Sequence, residues 1–232
     1  MTFLEGGGIV NEVPWLRRGT GDTPADGGCI MQVIDWVSTN GWTDQPECVH
    51  PVIRKAAIAA NDELADEYRQ KLLDLAPRLM GTNTGGYELT VRLAVWCARR
   101  VLRVFEEAVP GDRRPRQAIE AAEAWLNGGG IVGSPIGDHA LTAAGNYGGV
   151  LSSSPAAWAA RAACHAADSA YVSADRTPGG IASLSATGAA YAHGNFYVFL
   201  VELLDEYDRL TGRTKTAACD LSSAARAMAG AV

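Results

Sequence analysis

Apolar residues recur at three- and four-residue spacing along most of this chain. Ile30, Val33, Ile34 and Val37 mark a first helix, stopped by Asn40-Gly41. Pro51 suits the first position of a second helix, whose apolar face is Val52, Ile53, Ala56, Ala57 and Ala60. The spacing predicts a third helix over 62–80, kinked or ended by Pro77. The clearest stripe, over 87–109, carries Leu89, Leu93, Trp96, Val101, Val104, Phe105 and Ala108, and Pro110-Gly111-Asp112 breaks it. A helix over 114–126 follows. Pro155 then opens an alanine-dense helix to about residue 172. After a turn at 177–180, a long helix is expected over 183–210, and a last alanine-rich one over 216–229.

No run alternates β-branched and polar residues, so the fold class is all-α: a multi-helix bundle of antiparallel helix hairpins. A glycine-rich loop insertion over 127–155 interrupts it, and a connection that long is functional or mobile. Residues 1–28, rich in Gly, Asp, Thr and Pro, read as a poorly ordered N-terminal arm docked through Trp15. Residues 29–232 read as a single helical domain.

Composition narrows the function classes. The formal charge is −6 with 47% apolar residues, which argues against a dedicated nucleic-acid binder and against a disordered chain. There is no apolar run of about 18 residues and no basic, apolar leader, so neither a membrane span nor a signal peptide is expected. Five cysteines without a CxxC pair suggest no disulfide framework and a reducing, cytoplasmic setting. Cys97, Cys164 and Cys219 sit in alanine-rich helical patterns, where a thiol behaves as a small hydrophobe.

Several clusters could carry chemistry. His165 and His193 flank the 177–180 turn, and a symmetric hairpin about residue 178 puts them within about 3 Å in height. Arg161, His165, Asp168 and Ser169 share one helical face. His193, with Asn195 beside it, shares a face with Phe196 and Leu200 and should point inward. Neither histidine has an acidic residue three positions before it, so no metal site of the Glu-x-x-His kind is expected. Cys29, Asp44, Cys48 and His50 are zinc-competent types in a loop stiffened by Pro46 and Pro51, but their spacing is not that of a zinc finger. Arg99, Arg100, Arg103, Arg113, Arg114 and Arg116 gather at one helix-to-helix corner, interleaved with Glu106, Glu107 and Asp112, as a patch for an acidic partner or a phosphate. Glu202, Asp205, Glu206 and Asp208 form an acidic helix face. The glycines of 127–155 lack a P-loop pattern, and no hydrolase or protease motif occurs.

The run WCARRVLRVFEEAVPGDRRPRQAIEAAEAW, residues 96–125, resembles a segment of the type-five immunity family of bacterial polymorphic toxin systems. The resemblance rests on Cys97, Val101, Phe105, the Pro110 and Asp112 corner, Arg114-Pro115-Arg116 and the Ala118–Ala122 helix ending at Trp125. It implies an all-helical, non-enzymatic protein whose partner is another protein, and it carries over no catalytic residues. Residues 27–53 are similar to proteins of actinobacteria and their phages.

The expectation is therefore a cytoplasmic, immunity-like or phage–host conflict protein that occludes a partner such as a toxin. It would need no cofactor and no metal, and would bind through Arg99, Arg103, Arg113, Arg114, Arg116, His165, Asp168, His193 and Asn195. A binder of a small nucleotide signal and a metal-dependent enzyme are the alternatives. An alanine-rich final helix could also pair with a second copy.

Overall fold

Local sequence rules start most of the helices. A computed structural model describes residues 13–128, 153–171 and 178–214. Helix α1 (Ile30–Thr39) follows Cys29 and ends at Asn40, which adopts the left-handed conformation (φ 59°) ahead of Gly41. Helix α2 (Pro51–Glu63) is capped by His50, whose Nδ1 accepts the Val52 N–H at 3.2 Å. Two short helices, α3 (Asp66–Arg69) and α4 (Ala76–Leu79), are joined by a 3₁₀ segment, Gln70–Leu75. The single helix expected over 62–80 is thus divided, because Leu64 and Ala65 take extended backbone angles.

Helix α5 (Tyr87–Ala108) buries Val91, Ala94, Cys97, Ala98, Val101, Leu102 and Phe105. Helix α6 (Arg114–Leu126) has Pro115 in its first turn and buries Ala118, Ile119 and Ala122. Helices α7 (Pro155–Tyr171), α8 (Pro178–His193) and α9 (Phe196–Thr211) complete the described structure. The long helix expected over 183–210 is two: Gly194 has φ 76° and Asn195 caps α9, its Oδ1 accepting the Val198 N–H at 3.1 Å. Most of the 127–155 insertion and the helix expected over 216–229 lie outside the described residues.

The described helices pack on one another with no strand among them; an isolated bridge joins Leu16 to Gly28. Helix α8 packs against α2, α5 and α7, and α7 also packs against α5 and α6. Alanine makes this possible. Ala156, Ala159, Ala160, Ala163, Ala166 and Ala167 of α7 are buried, as are Ala182, Ala186, Ala189 and Ala190 of α8. A methyl at Gly188 would lie 3.0 Å from the Trp158 carbonyl oxygen and 3.2 Å from the Ala162 nitrogen, so the two backbones nearly touch there. The buried Ser185 Oγ lies 3.0 Å from the Ala94 carbonyl oxygen and 2.8 Å from that of Ala162, joining α5, α7 and α8.

The described part of the N-terminal segment is tied down by Leu16, which is fully buried, while Trp15 is 54% exposed. Gln70 accepts the Leu16 N–H at 3.0 Å and donates to its carbonyl at 2.7 Å. Asn61 of α2 accepts the Ile30 N–H at 3.1 Å and donates to the Arg17 carbonyl at 2.8 Å.

Candidate functional site

The arginine-rich corner is where α5 turns through Val109–Arg113 into α6. Pro110 cannot continue the helix, and Gly111 (φ 89°) reverses the chain. The two helices are stapled by charge. Arg99 makes a two-pronged contact with Glu123 of α6, at 2.8 and 2.6 Å. Arg116 of α6 does the same with Glu106 of α5, at 2.7 Å on both prongs. Arg114 grips Asp112 at 2.9 and 2.5 Å. The guanidinium of Arg116 holds the Glu106 carboxyl below its ordinary pKa, and Arg114 does so for Asp112. Among the described residues, Arg103 pairs only with Glu107 of its own helix, at 2.5 Å, and it is 86% exposed. No side-chain bond or ion pair ties Arg113 to another described residue.

Away from the Val109–Arg113 turn, towards the start of α5 and the end of α6, α5, α6 and α9 line two adjoining surface clefts that share Trp96, Glu206 and Arg209. One, of about 350 Å³, is rimmed by Arg100, Glu202 and Asp205; the other, of about 280 Å³, reaches Arg99 and Glu123. Arg100 and Glu202 meet at the first cleft at 2.8 and 2.6 Å, lowering the Glu202 pKa. Sequence reasoning placed Trp96 in a core stripe and Glu202 on a separate acidic face. Only the tertiary pairing of α5 with α9 brings them together.

The histidines are not brought together. Trp158 stacks on Tyr191 with centroids 4.9 Å apart, and Ser185 meets Ala162, so His165 is level with about residue 184 of α8. His193 is then about 13 Å further along the axis, at 1.5 Å per residue. It sits against Phe199 (5.7 Å between centroids), with Nε2 3.6 Å from Glu202 and Nδ1 accepting the Asn195 N–H at 3.3 Å. Asn195 itself serves as the α9 cap.

His165 is held below its ordinary pKa by burial and, secondarily, by Arg161. Its neighbours on α7 are Cys164 and Asp168. The Cys164 thiol donates to Asp168 Oδ2 at 3.4 Å, and the ligand atoms of all three residues lie within 4.8 Å of one another. Among the described residues this is the only group of three or more His, Cys, Asp or Glu side chains so placed. The loop candidates Cys29, Asp44, Cys48 and His50 form no such group. His50 is buried as the α2 cap, with Nε2 3.2 Å from Thr90 Oγ1, and desolvation pushes its pKa down to about 4. Cys48 donates to Ser38 at 3.8 Å.

Residues 87–177 match the model of the Imm-5 like putative immunity protein family. That span contains α5, the arginine corner, α6 and α7, whereas α1, α2, α8 and α9 lie outside it. No curated protein and no solved structure matches the chain. Among the described residues, no helix is long and apolar enough to cross a membrane.

Proposed function

We propose that the protein is a non-enzymatic, immunity-like binding protein that neutralises a toxin by covering its surface. The observation that carries this reading is the coincidence of the family match with the α5–α6 corner. Arg103 and Arg113 are the cations best placed to meet an acidic partner, because neither staples α5 to α6. Arg99, Arg114 and Arg116 are already paired and can exchange one carboxylate for another, since half-exposed ion pairs contribute little to folding. Electrostatic complementarity of this kind speeds association and selects partners.

The test is co-expression with a toxin encoded beside the gene. The double variant Arg103→Glu, Arg113→Glu is expected to lose protection against growth arrest, and to lose capture of the toxin, with an unchanged melting temperature. Full protection by a folded double variant would remove the corner as the contact. A small-molecule reading draws on the Trp96 cleft, whose rim alternates arginines (Arg100, Arg209) with carboxylates (Glu202, Asp205, Glu206) around an indole. Ligands that bind the folded state there would raise the melting temperature.

A further inference from the structure

The geometry points to a metal site on α7, formed by Cys164, His165 and Asp168 and suited to zinc or a zinc-like transition metal. It does not depend on the immunity reading. At 100° per residue, Cys164 and His165 flank a strip of the helix on which Asp168 stands one turn later, between them. The three donors therefore converge by helix geometry, without any help from a loop. The thiol already reaches Asp168 Oδ2 at 3.4 Å, and the largest separation within the group is under 4.8 Å.

Tetrahedral zinc, with bonds of about 2.0–2.3 Å, needs donors roughly 3.3–3.8 Å apart. Side-chain rotation of about 1 Å closes the difference. One sulfur, one imidazole nitrogen and one carboxylate oxygen favour zinc, cobalt or iron over magnesium or calcium, which prefer oxygen alone. Binding exchanges the thiol proton, released to solvent, for the metal: the S–H bond breaks and the sulfur lone pair forms the metal–thiolate bond. Three protein donors leave a fourth position for water. The sequence reading missed this group because it took Cys164 as a helix hydrophobe and looked for Glu-x-x-His instead.

The experiment titrates the full-length, metal-free protein with cobalt(II), followed by zinc. One equivalent of cobalt should bind with a thiolate-to-cobalt charge-transfer band in the near ultraviolet and intense tetrahedral d–d bands, and zinc should abolish both. Cys164→Ala should remove the charge-transfer band, while Cys29→Ala and Cys48→Ala keep it. Loss of a supporting outer-shell group costs about 10–100-fold in metal affinity, so losing a ligand through His165→Gln or Asp168→Asn should cost at least about a hundredfold. Circular dichroism confirms folding of each variant. His165 and Asp168 are only half-buried, so their variants keep the test sound if Cys164→Ala is unstable. Absence of a thiolate–cobalt band, its survival in folded Cys164→Ala, or wild-type affinity in both His165→Gln and Asp168→Asn would overturn the site.

Discussion

The α7–α8 seam and the α5–α6 corner join helices by opposite means. The seam uses alanines, Gly188 and one shared serine hydroxyl, with backbones almost in contact. The α5–α6 pair is bridged by long, half-exposed guanidinium–carboxylate pairs, with Phe105 of α5 and Ala118 and Ile119 of α6 buried. Close backbone packing tolerates no added volume and ignores salt and pH. Rim ion pairs tolerate change easily, and they can be traded for a partner's charges. A surface meant to bind is better built the second way.

Breaking the seam should have the largest effect. Gly188→Val drives a branched side chain into the Trp158 carbonyl and the α7 backbone, and should cost about 1–3 kcal/mol, read as a lower urea midpoint. An unchanged midpoint would mean that α7 and α8 do not approach as described. Ser185→Ala should cost about 1 kcal/mol, because it removes the hydroxyl shared by α5 and α7 carbonyls without leaving a cavity of note. The smallest effect belongs to the corner. Arg99→Ala should cost less than about 1 kcal/mol, and less still in high salt. Its acid response carries a definite sign. Glu106 and Asp112 bind protons less readily folded than unfolded, so their contribution is present above the ordinary carboxylate range and is lost as pH falls through their lowered native values. A corner variant such as Arg116→Gln should flatten that acid limb, whereas Gly188→Val should shift the whole curve. Equal salt and acid sensitivity in both variants would erase the distinction.

Much of the fold was legible because helix starts and stops are local. Pro51, Pro115 and the Pro110-Gly111 break lie where the expected boundaries do, and α5 and α6 follow their stripes closely. The break at Gly194-Asn195 was also written locally, as a glycine and a capping asparagine, but apolar residues at helical spacing on both sides concealed it. The site was less legible. Expecting His165 and His193 to be level required the hairpin to be symmetric about residue 178, and register depends on which side chains interlock, here Trp158 with Tyr191. The Trp96 cleft needs α9 beside α5, a tertiary fact without a local signature. The α7 cluster was within reach, since its spacing lies on one helical turn.

The amide of Asn61 has a consequence for how the chain assembles. Its oxygen holds the first N–H of α1, and its nitrogen holds the backbone at Arg17. A helix of ten residues is too short to persist in water by itself. During synthesis, then, α1 waits for a residue made some thirty positions later. The segment from Arg17 to α1 is locked by α2, so whatever delays α2 delays that segment too.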